Sequence, residues 1–177
     1  MKKFVVLILS VFLAMSANAQ SQGQKWLAEA RKGNVKAMYQ TAIRYHMGMD
    51  GLAKDEKKAQ YWAEKAGNEG NVKAMMLAGQ TYDDLETKKF DSRRIYWFKT
   101  AAETGDIEAM GRTRDTYSYL EAKLVSKEDK RKAIEQYLYW NDRMLASDLP
   151  DKKREECEWM KRIISEKLDR LNQAPEQ

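Results

Sequence analysis

Gly33-Asn34-Val35-Lys36-Ala37-Met38 recurs unchanged at Gly70–Met75 and in a drifted form, Gly-Asp-Ile-Glu-Ala-Met, at Gly105–Met110. The copies stand 37 and then 35 residues apart. A fixed period in this range is the mark of a solenoid built from helical hairpins. The hexapeptide itself reads as a helix junction. Glycine ends one helix, and the Asn or Asp after it offers a side-chain oxygen to the free N–H groups of the next.

Working outward from the first copy, Val35 to about Met47 reads as a helix with Ala37, Met38, Thr41, Ala42 and Tyr45 on one face. Gly48-Met49-Asp50-Gly51 is a turn, and Asp55 caps a partner helix that runs to about Asn68. The inner face of that partner is Ala59, Trp62, Ala63 and Ala66. Upstream, residues 20–24 read as a polar, disordered tail, and Trp26, Leu27 and Ala30 open a short helix that ends near Gly33.

The second copy repeats the frame with Ala74, Met75, Ala78, Gly79 and Tyr82, a turn over Asp83–Lys89, and a partner helix from about Asp91 to Thr104 carrying Trp97 and Ala101. The third copy holds Ala109, Met110, Thr113 and Tyr117, but Arg114 stands where Ala42 and Gly79 stood. A long side chain in a small-residue slot implies that this seam has opened or shifted. From Lys127 another helix carries Ala133, Tyr137, Trp140 and Met144 as a stripe. Asp148-Leu149-Pro150-Asp151 stops it and starts a last helix with Cys157, Met160, Ile164, Leu168 and Leu171 on one side and charge on the other, the form an end cap requires. The expectation is an all-α chain of seven or eight helices, an α/α superhelical solenoid of helix-turn-helix repeats closed by a C-terminal capping helix. Its divisions are a leader over 1–19, repeats over 20–122 (about 26–69, 70–104 and 105–122 onward), and a degenerate repeat helix with the cap over 123–177.

Composition narrows the function classes. The 177 residues are 43% hydrophobic, with two prolines and nine glycines, which suits one helical domain. The formal net charge of +5 includes Lys2 and Lys3, and no half of the chain is strongly basic, so nucleic-acid binding is not expected. Those two lysines precede an apolar run over Phe4–Met15 of about 12 residues, short of the roughly 20 that span a bilayer. Ala17-Asn18-Ala19 then fits signal-peptide cleavage after Ala19. The mature protein is therefore expected in a bacterial periplasm or outside the cell, without stable membrane insertion and as a monomer. The single cysteine, Cys157, cannot form an internal disulfide and reads as a buried, inert thiol.

The frame resembles the Sel-one-like repeat, a relative of the tetratricopeptide repeat. The resemblance rests on Gly33, Ala37, Ala42, Tyr45, Gly48, Gly51, Leu52, Asp55, Lys58, Ala59, Trp62 and Ala66 in the first unit, and on Gly70, Ala74, Ala78, Tyr82, Trp97 and Ala101 in the second. It covers about residues 26–120. It implies an α/α superhelix that acts as an adaptor for other proteins, often in envelope or secretory processes. Some secreted, cysteine-rich members of the family are linked to β-lactam binding or hydrolysis. Those carry a disulfide in each repeat, and this chain has none to offer.

The residues supply no catalytic constellation. The glycines stand singly at helix ends rather than in a phosphate loop. One histidine, His46, and one cysteine make neither a nucleophilic triad nor a zinc site. No cofactor or metal is expected. Asp83-Asp84 and Glu155-Glu156 read as solvated or helix-dipole carboxylates, and the Trp and Tyr residues as core. Two functional classes remain: a non-enzymatic protein–protein interaction module, and an envelope hydrolase or binder of cell-wall fragments. The first is the main expectation. On the helical wheel of Val35–Met47 the side away from the core holds Lys36, Tyr39, Gln40, Ile43 and Met47, three of the five apolar or aromatic where a solvated face should be mostly polar. Met76 and Gln80 in repeat two and Asp115 in repeat three hold matching positions. In repeats of this shape the first helices line the concave side, so these residues would form one strip that either receives an extended or helical segment of a partner protein or packs against the next repeat's first helix.

Overall fold

The computed structural model describes residues 21–84 and 92–174. Eight helices make up these residues: α1 (Gln22–Arg31), α2 (Val35–Met47), α3 (Glu56–Asn68), α4 (Val72–Asp84), α5 (Ser92–Glu103), α6 (Ile107–Lys123), α7 (Lys127–Leu145) and α8 (Asp151–Gln173). No strand occurs among the described residues. The expected leader and its cleavage site, and most of the turn expected over Asp83–Lys89, lie outside them. The helices fall into two compact units, with α1–α3 in the first and α4–α8 in the second.

The repeated hexapeptide does what its chemistry requires. Gly33, Gly70 and Gly105 have φ of 96°, 85° and 96°. Their N–H groups donate to Ala30, Gly67 and Ala102 oxygens at 3.0, 2.9 and 3.0 Å, closing the ends of α1, α3 and α5. A side chain added at any of the three would meet nothing within 4 Å, so glycine is required by the backbone angle and not by crowding. In the next step Asn34 Oδ1 accepts from Ala37 N–H at 2.9 Å, and Asp106 Oδ1 from Ala109 N–H at 2.8 Å.

In the first unit α2 packs on both α1 and α3. Its buried face is Ala37, Met38, Thr41, Ala42 and Tyr45, and α3 answers with Ala59, Trp62, Ala63 and Ala66, as the periodicity implied. The α2–α3 turn holds Gly48, Asp50 and Gly51 at positive φ. Asp50 tolerates that geometry better than most residues and directs its carboxylate to Arg44 Nε at 2.9 Å. Arg44 in turn lies 5.4 Å from the centre of the Trp26 ring.

One expectation is corrected here. Residues 22–24 are not a disordered tail but the first turn of α1, capped by Ser21 Oγ, which accepts from Gln24 N–H at 3.2 Å. Gly23 is the reason. Its N–H donates to Asp50 O at 2.9 Å, and a Cβ there would meet that oxygen at 2.5 Å. The absence of a side chain lets α1 seat on the α2–α3 turn.

In the second unit consecutive helices pack in turn, α4 on α5, α5 on α6, α6 on α7 and α7 on α8. Gly79 on α4 faces Phe98 on α5; a Cβ at Gly79 would meet the Phe98 ring at 2.5 Å. On α7, Ala133, Ile134, Tyr137, Trp140, Asn141 and Met144 are buried. The stripe on α8 is real but shallow. Cys157 is the one fully buried residue of its described 23, and Met160, Ile164, Leu168 and Leu171 are half-buried.

Two outcomes follow from this packing. Trp62 is 7% exposed, so Trp62→Ala should cost about 3–5 kcal/mol. That is a large share of a domain stability of about 5–15 kcal/mol, so the melting temperature should drop steeply. A shift of a degree or two would place the ring outside the core. Asp55 gives a pH test. Its carboxylate caps α3 by accepting from Lys58 N–H at 3.0 Å, and the Lys58 side chain lies 2.9 Å from it. The side-chain and backbone hydrogen bonds from Lys58 lower its pKa below the ordinary aspartate value. A carboxyl with a lowered folded pKa stabilises the fold above its unfolded pKa, about 3.9, and that stability is lost as pH falls through the folded value. Asp55→Asn keeps a capping oxygen without the titration. In thermal melts from pH 7 down to 3, the wild type should lose its advantage over Asp55→Asn at the acid end. A constant gap would refute the assignment.

Candidate interaction surfaces

The candidate residues lie in both units, and each unit is taken by itself. In the first, Tyr39, Gln40, Ile43 and Met47 share one face of α2, as i, i+1, i+4 and i+8 spacing requires. Tyr39, Gln40 and Ile43 are half-buried, and Met47 is 64% exposed. The Tyr39 ring sits partly against protein, and that burial raises its pKa above the usual phenol value. Gln40 is held by Arg44, whose Nη1 donates to both the Gln40 backbone oxygen at 2.9 Å and its side-chain oxygen at 2.8 Å. The α2 face is thus a fixed apolar shelf with a bonded amide at its middle and an exposed methionine at its end. At the same end His46 Nδ1 lies 2.9 Å from Glu56 Oε2.

In the second unit Met76 and Gln80 stand one turn apart on α4, both half-buried. Asp115 on α6 is exposed, but its carboxylate is engaged by Arg114, at 3.0 Å from Nε and 2.9 Å from Nη2.

Arg114 itself departs from the expectation that its seam has opened. It is 5% exposed and central to a polar node among α6, α7 and α8. Its Nη1 donates to Asn141 Oδ1 at 3.2 Å and lies 3.6 Å from Cys157 Sγ. Asn141 Nδ2 donates to the Cys157 carbonyl at 2.9 Å. The guanidinium also lies over the Tyr137 ring, 5.5 Å from its centre. Burial pushes the Arg114 pKa down, but Asp115, Tyr137 and Cys157 outweigh it and the net direction is up. The seam stays closed because the facing position changed with it. Where Gly79 meets Phe98, Arg114 meets Asn141.

Sequence reasoning missed a further surface. The doublet Tyr-Trp occurs at 61–62, 96–97 and 139–140. In each the Trp is buried and the Tyr is exposed, by 55%, 55% and 51% for Tyr61, Tyr96 and Tyr139. The two rings of each pair meet edge-on with centres 5.1 Å apart. Assigning the Trp and Tyr residues to the core was therefore right for Trp62, Trp97 and Trp140 and wrong for these tyrosines, as it was for Tyr119 and Trp159, which are also exposed. The repetition of the doublet was the available signal. It also places α7 in the register of a second helix, matching α3 and α5.

These features define an all-α protein of helical hairpins with shallow, mixed surfaces. Among the described residues no group of three or more His, Cys, Asp or Glu is placed to hold a metal, and no helix is long and apolar enough to cross a membrane. No family model matches the chain. It is 41% identical over 54 residues to the ERAD-associated E3 ubiquitin-protein ligase component HRD3A of Arabidopsis thaliana, a match to 30% of this chain and 8% of that protein. It is 32% identical over 80 residues to the Sel1-repeat-containing protein YjcO of Escherichia coli, covering 45% of this chain and 33% of that one. The chain thus spans a third or less of the curated relatives it matches. A Sel1 repeat protein from Oxalobacter formigenes has a similar structure, with a TM-score of 0.52 and 23% identity over 76% of this chain and 95% of that one. The fold is that of the Sel1 repeat, and the partial sequence matches support the same family.

The polar node yields its own test. Arg114→Ala strips Asn141 of a buried partner, which should cost about 1–3 kcal/mol in urea unfolding. Arg114→Lys should not restore it, because an ammonium cannot reproduce the planar fork. Full rescue by lysine would mean that only the charge matters.

Proposed function

We propose that the chain is a Sel1-repeat interaction module of the bacterial envelope, not an enzyme, and that it acts as an adaptor by holding a segment of a partner protein. The observation that carries this reading is the α2 face. Tyr39 and Ile43 keep partial access to solvent, and Met47 is 64% exposed beside them. A row of apolar side chains on a fixed helix is what a helical or extended peptide recognises in grooves of this kind. Methionine suits that role, since its flexible thioether adapts to varied surfaces. Met76 and Gln80 on α4 would offer a second foothold of the same composition, while Asp115 would act through Arg114 rather than as a free contact.

The relatives support the class. HRD3A is a component of a ubiquitin-ligase assembly by name, and YjcO is named for its Sel1 repeats. The lysine-led apolar leader ending at Ala19 supports export to the periplasm or beyond, with the repeat units over about 26–69, 70–104 and 105–122 onward forming the mature body. The mature protein would work as a monomer, without cofactor or nucleic acid.

The test is site-directed photo-crosslinking in cells. A photoreactive phenylalanine analogue at Met47 should yield a discrete crosslinked protein, and the same analogue at Tyr61 on α3 should not. Both positions are exposed, so folding should survive in each. Equal products from both positions, or none from Met47, would contradict the α2 face as the docking surface.

A further inference from the structure

The second unit ends in a helix that is fastened more than it is buried. α8 runs over Asp151–Gln173, yet Cys157 is its only fully buried residue. Met160, Ile164, Leu168 and Leu171 are half-buried, so the apolar hold along its last four turns is partial. Its packing partner is α7.

The polar fastenings are unequal. Near the start of α8, Arg154 donates to the Leu145 and Ser147 carbonyls at 2.9 and 3.1 Å, tying the first turns to the end of α7. One turn on stands the buried node, in which Arg114 and Asn141 grip Cys157 through its sulfur and its carbonyl. Beyond it the ties are polar contacts at the rim: Lys161 with Asp142, both about half exposed, Lys167 with the less exposed Glu121, and Lys127 Nζ, which donates to the Ala174 carbonyl just past the end of α8. The Lys161–Asp142 pair, exposed on both sides, contributes little and is screened by salt.

Beneath the weakly held part lies a pocket of ≈ 20 Å³, room for about one water. Tyr117 and Glu121 of α6 and Ile134 and Tyr137 of α7 line it, and Ile164 and Lys167 of α8 close it. Tyr137 is 2% exposed and its hydroxyl has no hydrogen-bond partner. Buried polar groups are nearly always paired, and the adjoining pocket has room for the one water that would pair this hydroxyl.

We infer that α8 is a lid that leaves α6 and α7 as one unit, with Arg114 as its latch, without unfolding of the helices beneath. Regions with few buried apolar contacts open locally below the free energy of global unfolding, and α8 has that character along most of its length. Opening removes Ile164 and Lys167 from the pocket and uncovers the part of it that α6 and α7 line. The latch sits near the hinge end, so its release frees the longer arm of the helix. The inference concerns the second unit alone and does not rest on the docking surface proposed for α2.

Cys157 is the chain's single cysteine, so thiol labelling reads the opening directly. The mature protein is exposed to a chromogenic aromatic disulfide across a urea series below the unfolding transition. Global unfolding is followed in parallel by circular dichroism. The lid should let Cys157 react on the order of a hundredfold faster in water than global unfolding permits, with little dependence on urea, as expected of a local opening. Arg114→Met should raise the labelling rate further, relative to its own global unfolding. A wild-type labelling rate that follows global unfolding, with the same urea dependence, would overturn the lid. An unchanged rate in Arg114→Met, measured against its own unfolding, would overturn the latch. The wild-type comparison stands even if that variant fails to fold.

Discussion

Three glycines held at positive φ set the frame on which the rest of the structure depends. Gly33, Gly70 and Gly105 close α1, α3 and α5 by donating to a carbonyl three residues back. Each then hands the chain to a residue, Asn34, Asn71 or Asp106, that can cap the following helix. Any L side chain at those angles is strained. The chain can therefore leave one helix and enter the next in three residues, and this short junction is what makes a period of 35 to 37 residues possible. The small residues that follow, Ala37, Ala74 and Ala109, are fully buried because the junction fixes their helices' rotation.

Packing within the frame works by exchange of volume. Gly79 admits the Phe98 ring, and where Arg114 replaces the glycine, Asn141 replaces the phenylalanine. A buried ion of this kind is weak evidence for stability, since hydrophobic side chains of similar volume often do as well or better. Its consequence is specificity. A guanidinium with an amide beside it accepts a helix that presents a carbonyl and a sulfur at the right height, and α8 presents both at Cys157. The third hairpin is thereby committed to its own last helix.

Much of this was legible in the sequence, for physical reasons that differ by residue. Helix faces such as Ala37, Met38, Thr41, Ala42 and Tyr45 follow from period alone, because burial and spacing are coupled in an amphipathic helix. The caps at Asn34 and Asp55 follow from local chemistry. The seating of α1 was not legible, because it depends on Gly23 meeting the Asp50 carbonyl, a contact that composition does not encode. The Arg114 slot was misread for the same reason: its cost depends on which residue faces it, and that is known only once α7 is placed. Tyr61, Tyr96 and Tyr139 were hidden by their neighbours, since adjacent residues on a helix share hydrophobic character but not a face. The face proposed for docking on α2 comes from the same wheel that gave the core, and Met47 at its end is exposed.

The frame itself is tested most directly by replacing the junction glycines one at a time with alanine and with asparagine, and measuring each stability by urea unfolding. Alanine at a glycine with helical φ stabilises by about 0.4–1 kcal/mol through the unfolded chain. At a left-handed position it costs about 1–2 kcal/mol instead, and asparagine loses less. Open space surrounds each of the three sites, so packing does not confuse the sign. The account predicts that Gly33→Ala, Gly70→Ala and Gly105→Ala all destabilise, each more than the matching asparagine variant. Neutral or stabilising alanine variants would contradict it, because they would mean that the junctions are not held left-handed and that something else sets the repeat.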